Sequence, residues 1–175
     1  MKGSKLHTAL LEQEFGQIRL HILKQENEWR MVHLYDEEYI SRTMAIVRFN
    51  NYANPVIKAT HARIFEGELL GMTLLKDDIP YEKSAAARVA VTLPDWLKAE
   101  FRSSVDITMG LYSQISILDR DKNEVFLYAD LFEIIPPDIL HLFPGTGKMP
   151  DIPDKEMISL LNFAGIKTAP TEPNI

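Results

Sequence analysis

The sequence of 175 residues contains no cysteine. Disulfide bonds, a cysteine nucleophile and thiolate metal sites are therefore excluded. The chain also lacks any run of about 18 apolar residues, so we expect no transmembrane helix. No apolar run of signal-peptide length precedes Glu12, and we therefore expect a cytoplasmic protein.

Histidines are few and are not spaced for a metal ion. The five are His7, His21, His33, His61 and His141. None of them forms an HxH, HxxxH or HExxH pattern, so we expect no metal site. The glycine-rich motifs GxGxxG and GxxxxGK[ST] are also missing, which argues against a dinucleotide or P-loop nucleotide site.

Basic charge is scarce. There are 19 Lys and Arg against 25 Asp and Glu, a net charge of -6, and no window of the sequence is strongly basic. We therefore expect no nucleic-acid partner. A small anionic ligand remains compatible with this balance, because one or two buried cations can bind it locally.

The remaining composition is that of a globular protein. Apolar residues make up 46% and charged residues 25% of the chain. Four segments have the apolar spacing or end signals of helices: 4–15, 66–76, 94–101 and 154–164. Ser4 can cap the first helix, and Gly16 stands where a left-handed residue would end it.

Alternating apolar residues predict strands at 17–25, 39–49, 56–64, 107–118 and 124–135, with a short strand at 31–34. The turn clusters NNYANP and DRDKN each lie between two of these runs, which predicts two antiparallel hairpins. Residues 82–92 fit a helix and a strand equally well. The order of elements predicts an α+β protein with a mostly antiparallel sheet.

Arg42 lies in the strand YISRTMAIVRF and shares a face with Ile40, Met44 and Ile46. A guanidinium on an apolar face needs a carboxylate or a ligand, because desolvation of an unpaired charge is costly. Three interpretations stay open. Arg42 forms a buried pair with an Asp or Glu, or the strand is an edge with a wet inner side, or Arg42 grips an anionic ligand inside a cavity.

Asp130 is the second charged residue out of place. Its strand face also carries Phe126, Tyr128, Phe132 and Ile134. A carboxylate among aromatic rings should have a disturbed pKa, and such groups concentrate in functional sites. Asp130 is either the partner of Arg42 or part of one pocket with it. A bulge in the hairpin would instead turn Glu133 inward and Asp130 outward.

Several segments together resemble the chorismate lyase-like family (chorismate–pyruvate lyase, 4-hydroxybenzoate synthase). HTALLEQEFGQIRLHILKQ (7–25) resembles the opening helix, glycine and strand of that family. SRTMAIVRF and NPVIKATHARI resemble its arginine-bearing strand and partner strand. ELLGMTLL (68–75) resembles its Leu-Gly element, and LYADLFEIIP (127–136) resembles its closing strand. The similarity spans residues 6–136.

The resemblance implies an antiparallel sheet with helices packed on it and helical flaps over an internal ligand cavity. It implies one α+β domain over residues 1–145, with a C-terminal helix and tail at 146–175 packed on the same domain. The implied activity converts chorismate into 4-hydroxybenzoate and pyruvate, with no metal ion and no organic cofactor. The implied partner is thus a small anionic substrate or product.

The resemblance also implies roles for particular residues. Its ligand-carboxylate arginine falls on Arg42, and its acidic residue near the hydroxyl end of the product falls on Asp130. These two are the expected catalytic residues. The residue before the family glycine is Leu70, followed here by Gly71, and the helix residue that covers the ligand is His7.

Two positions depart from the family pattern. Asp130 is one methylene shorter than the family's glutamate, and His7 is polar where an apolar cover is expected. The family's second arginine has only an approximate counterpart, Arg63. Two alternatives therefore stay open: a non-catalytic domain of the same fold that binds an aromatic carboxylate, and an interaction protein in which Arg42 and Asp130 form a structural salt bridge.

Overall fold

The structure is a computed structural model that describes residues 7–143 and 155–170. Its eight strands are β1 (Arg19–Glu26), β2 (Trp29–Tyr35), β3 (Ser41–Phe49), β4 (Tyr81–Lys83), β5 (Ala87–Thr92), β6 (Ile107–Asp119), β7 (Glu124–Ile135) and β8 (Lys167–Thr168). Its helices are α1 (His7–Phe15), α2 (Lys58–Phe65), α3 (Leu70–Lys76), α4 (Asp95–Phe101), α5 (Lys155–Ala164) and a 3₁₀ helix (Pro137–Leu142).

All strands belong to one antiparallel sheet. Their order is β1-β2-β3-β7-β6-β5-β8, and β4 pairs with β6 beside this path. The long hairpin of β6 and β7 forms at its predicted place, and β3 pairs with β7 so that Met44 faces Ile134. The predicted α+β class with a mostly antiparallel sheet is confirmed.

Helices cover both faces of the sheet. On one face, which we call the α5 face, Met44 and Phe132 pack with Leu97 of α4 and Leu160 of α5. On the other, which we call the α1 face, one apolar cluster lies under α2 and α3, and another lies under α1. Because side chains alternate along a strand, neighbouring residues of β7 serve different faces.

The predicted strand at 56–64, and its hairpin with the arginine-bearing strand, are wrong. Residues Lys58–Phe65 form helix α2. The buried side chains Ile57, Thr60 and Ile64 recur at intervals of three and four residues, which is the helical period. Their chemistry suited a strand, but this spacing places them on one helix face against the sheet.

The other predicted segments agree more closely with the structure. The ambiguous region 82–92 contains two strands, β4 and β5, and no helix. Gly16 ends α1 with φ near +77°. Ser4, the predicted cap, lies outside the described residues, as do 146–154 and 171–175 of the predicted C-terminal segment.

Helix α5 packs on the same sheet as the other helices. Its Met157, Leu160 and Leu161 are buried in the cluster that includes Phe132 of β7. The segment after it pairs with β5 through Lys167–Thr168. None of the helices in residues 7–143 and 155–170 has the length and apolar character needed to cross a bilayer.

Candidate active site on the α1 face

Arg42 forms an ion pair with Asp36. Its Nε and Nη2 atoms both lie 2.7 Å from Oδ2 of Asp36, and its guanidinium lies 4.0 Å from the ring centre of Phe15 in α1. Its Nη1 atom lies 3.9 Å from Asp138 of the 3₁₀ helix. The arginine is therefore mostly buried, 13% exposed at its side chain, and its nearest carboxylate belongs to the protein.

The same carboxylate organises the turn between β2 and β3. Oδ1 of Asp36 accepts hydrogen bonds from the backbone N–H groups of Glu38 and Ile40, each at 2.9 Å. Both oxygens of Asp36 are thus used. Of the three interpretations of Arg42, the structure shows the buried ion pair with a carboxylate. The partner is Asp36 and not Asp130.

Asp130 lies on the α5 face and is 2% exposed. Its carboxylate accepts hydrogen bonds from the Tyr112 hydroxyl at 3.0 Å, Gln114 Nε2 at 2.9 Å and Asn50 Nδ2 at 2.8 Å. Its neighbour in register on β3 is Arg48. Arg42 is six residues away along that strand, about 20 Å. The structure does not bring Arg42 and Asp130 into one site.

Glu133, three residues further along β7, faces the α1 side of the sheet. It is 5% exposed. Lys83 Nζ lies 2.7 Å from its Oε2 atom, and His7 Nδ1 lies 3.4 Å from its Oε1 atom. We call these three residues the His7–Lys83–Glu133 cluster. It joins the start of α1 to strands β4 and β7.

Thr43 of β3 contacts the other ring nitrogen of His7. The Thr43 hydroxyl lies 2.7 Å from His7 Nε2, and it also lies 2.6 Å from the backbone carbonyl of Arg42. His7 Nδ1 faces the Glu133 carboxylate. The imidazole is also stacked on the ring of Phe143, with ring centres 4.3 Å apart.

Burial and the neighbouring charges have opposing effects on the pKa values of His7 and Glu133. Burial lowers the pKa of His7 to about 4, although Glu133 opposes this shift. Burial alone would raise the pKa of Glu133, but the charge of His7, which is protonated in the acid range, and the charge and hydrogen bond of Lys83 outweigh it and hold that pKa below its usual value. At neutral pH His7 is uncharged, so Lys83 is the cation that keeps Glu133 ionised. The cluster thus combines a buried carboxylate, a neutral imidazole and an ammonium.

The remaining predicted site residues lie around the connection of α2 and α3. Leu70 begins α3 and packs against the apolar cluster there, with Gly71 next to it. Arg63 of α2 pairs with Asp77 and lies 4.0 Å from Glu68. Only His7, of the predicted ligand-binding residues, belongs to the His7–Lys83–Glu133 cluster.

Arg63 also lines a surface cleft of about 610 Å³ between α2 and the edge strand β1. A second cleft of about 530 Å³ lies beside it and shares Leu20, Gly67 and Glu68 with the first. Both volumes are in the range of small-molecule sites. The side chains of Asp77 and Glu68 already compensate Arg63, however, so its charge is not free for an anion.

Lys83 is not among the site residues predicted from the sequence, and Glu133 is named there only as the residue that would face inward in place of Asp130. A signal for Glu133 existed, because it is the one charged residue on a strand face that otherwise carries Ala129, Leu131 and Ile135. Lys83 had no signal, since its three-residue strand lies in the region whose type was ambiguous.

The cluster brings together three groups that can carry protons. Within the described ranges 7–143 and 155–170, no three His, Asp or Glu side chains converge to hold a cation. The three groups of the cluster can hold and exchange protons, and Lys83, with a quarter of its side chain exposed, connects them to solvent.

Neither a known protein family nor a curated protein matches this chain. No family assignment follows from those comparisons. The contacts of the described residues, together with the resemblance of the short segments, are therefore the basis for a functional proposal.

Proposed function

We propose that the protein is a lyase that eliminates pyruvate from chorismate to give 4-hydroxybenzoate at the His7–Lys83–Glu133 cluster. The observation that carries the proposal is a buried carboxylate held between an ammonium and a neutral imidazole on a helix-covered sheet face. The resemblance of residues 6–136 supplies the reaction. The antiparallel sheet with packed helices agrees with the fold that the resemblance implies.

The reaction needs a base and a hydrogen-bond donor in one enclosed place. The hydrogen on the ring carbon that bears the hydroxyl is removed as a proton, and the ether bond to the enolpyruvyl group breaks. The ring becomes aromatic, and the enolpyruvate takes up a proton to become pyruvate. Glu133 or neutral His7 accepts the ring proton, and the Lys83 ammonium stabilises the charge that develops on the leaving oxygen.

The proposal moves the acidic role from Asp130 to Glu133. Asp130 accepts three hydrogen bonds from neutral donors on the opposite face, whereas Glu133 contacts both a base and a cation. Arg42 is linked to the cluster through Thr43, but two of its nitrogens bind Asp36. Lys83 is therefore the cation nearest the proposed acid–base chemistry.

The test is incubation of the purified chain with chorismate. We expect equal amounts of 4-hydroxybenzoate, measured by chromatography, and pyruvate, measured by coupling to lactate dehydrogenase. Glu133→Gln and Lys83→Met are each expected to lower kcat by about 100-fold. Asp130→Asn is the matched control, because it removes the same kind of charge on the other face, and it should retain activity.

The alternative of a binding domain without turnover uses the same residues. It gains support if chorismate is not consumed while 4-hydroxybenzoate raises the melting temperature of the wild-type chain but not of Lys83→Met. The absence of both turnover and stabilisation would rule out both functions. Circular dichroism of each variant establishes that the comparison is made between folded proteins.

A further inference from the structure

Strand β1 forms an open edge of the sheet. Within the described part of the chain it pairs with β2 alone, so the backbone N–H and C=O groups on its other side are available. The cleft of about 610 Å³ runs beside it and is lined by Leu20, His21 and Ile22 together with Gly67. Leu23 in the middle of the strand is 38% exposed.

A bulge at Leu23 divides the strand into two segments. Ile22 faces Val32 of β2, and Lys24 faces the next residue, Met31, so Leu23 is the extra residue. The bulge changes which residues share a face. Arg19, His21, Lys24 and Glu26 point to one side, whereas Leu20, Ile22 and Gln25 point to the other.

We propose that β1 pairs with β1 of a second copy of this chain and that the sheet continues through a homodimer. A two-fold axis between two such antiparallel strands lies midway between one residue and the same residue of the second copy. With the axis at Ile22, and with the bulge counted as one step, Arg19 lies opposite Glu26 of the second copy. By symmetry this charge pair forms twice.

The faces are consistent in this register. Leu20 then lies opposite Gln25, and the members of each cross-strand pair project to the same side of the sheet, as antiparallel pairing requires. Without the bulge Arg19 and Glu26 would point to opposite faces and could not meet. The bulge thus creates the charge complementarity that selects a second copy as the partner. Glu26 also lies 3.4 Å from Lys24 of its own strand, but its side chain is 60% exposed and its second carboxylate oxygen can accept from Arg19 of the second copy.

The proposed interface gives a closed dimer and not a longer assembly. A two-fold interface uses the same edge on both copies, so no β1 edge remains for further addition. The exposed Leu23 side chains of the two copies come close to the axis, where each can cover apolar surface of the other. The added strand would occupy the cleft beside Ile22 and Gly67.

Sedimentation equilibrium of the full chain tests the proposal. We expect a concentration-dependent mass that rises toward twice the chain mass of 20.0 kDa. Arg19→Glu and Glu26→Arg each place like charges at both ends of the paired strands, and each should raise the dimer Kd by about tenfold or more. The double variant restores both opposite-charge pairs and should regain the wild-type Kd.

Arg120→Glu is the matched control. It makes the same charge change at an exposed position between β6 and β7, and it should leave the Kd unchanged. A monomer mass at every concentration would overturn the proposal. So would a dimer that the two single variants do not weaken, or one that the double variant does not restore. Lyase activity is measured separately, so failure of one proposal does not decide the other.

Discussion

Asp130 and Glu133 lie three residues apart in β7 and face opposite sides of the sheet. Both are nearly fully buried, but their surroundings differ. Neutral hydroxyl and amide groups satisfy Asp130, whereas Lys83 and His7 lie beside Glu133. An ionised carboxylate next to a neutral imidazole can take part in proton transfer, which is why the proposed lyase reaction uses Glu133 and not Asp130.

Stability should fall as the solution is acidified from pH 6.5 to pH 4. Burial lowers the pKa of His7 and of His33 to about 4, whereas both titrate near 6.5 in the unfolded chain. Between these values the unfolded state binds protons that the folded state does not, so unfolding becomes easier as pH falls. Each histidine then costs roughly 3 kcal/mol of stability by pH 4.

Urea denaturation at a series of pH values measures this loss. His7→Gln and His33→Asn should each reduce the slope of stability against pH over the same window. A free energy of unfolding that stays constant from pH 7 to pH 5 in the wild-type chain would contradict the assignment of buried, neutral histidines.

Arg30 should be replaceable by methionine at little cost. It is 1% exposed and donates to the carbonyl of Ile64 at the end of α2, but its Nε has no hydrogen-bond partner and no carboxylate pairs with it among the described residues. Burial lowers its pKa to about 10, so it remains charged at neutral pH. We expect Arg30→Met to change stability by less than about 1 kcal/mol, because methionine fills the space without a desolvated charge.

Arg30→Ala is the comparison. It leaves a cavity beside Phe49 and should destabilise the protein by roughly 3 kcal/mol. The free energies of unfolding of the two variants, measured by chemical denaturation, separate the effect of lost side-chain volume from the effect of the lost charge. An equally large loss in Arg30→Met would show that the helix-end hydrogen bond to Ile64 outweighs the cost of burying the charge.

Gly110→Ala should be strongly destabilising. A Cβ atom at Gly110 would lie 2.2 Å from the ring of Phe132, which is fully buried on β7 two residues before Ile134, the register partner of Gly110. We expect a loss of roughly 3 kcal/mol from this overlap. In a double-mutant cycle measured by thermal denaturation, Phe132→Leu should reduce stability less in the Gly110→Ala background than in the wild-type chain. Additive losses would mean that the backbone moves to avoid the ring.

Asp36→Ala should cost more stability than Arg42→Ala. Removal of Asp36 leaves a largely buried guanidinium without its carboxylate and takes away the acceptor for two backbone N–H groups of the turn. We expect a loss of roughly 3 kcal/mol. Removal of Arg42 leaves Asp36 with both backbone donors. Chemical denaturation measures both variants. A lower denaturation midpoint for Arg42→Ala than for Asp36→Ala would show that the contact of Arg42 with Phe15 contributes more to stability than the carboxylate of Asp36.

The elements with strong periodicity were predictable. The alternation around the turn DRDKN predicted the β6–β7 hairpin, and the glycine after α1 marked its end. The segment 56–64 failed because the same residues satisfy two patterns, and only burial at Ile57, Thr60 and Ile64 separates helix from strand. Local pattern could not decide between them.

The site was less predictable because its members are distant in sequence. Lys83 and Glu133 are 50 residues apart and meet through the pairing of β4, β6 and β7. Arg42, in contrast, found its partner only six residues away, within the β2–β3 turn. The sequence indicated that Arg42 needed a carboxylate, but several acids were equally available to it.

The α+β class, the antiparallel sheet and the presence of charged residues inside apolar strands can be read from the sequence, because they follow from periodicity and composition along the chain. The meeting of Glu133 with His7 and Lys83, with Asp130 on the other side, became visible in the folded chain. The surroundings of a strand side chain depend on which helix covers its face and which strand lies beside it. Both are set by contacts between distant segments.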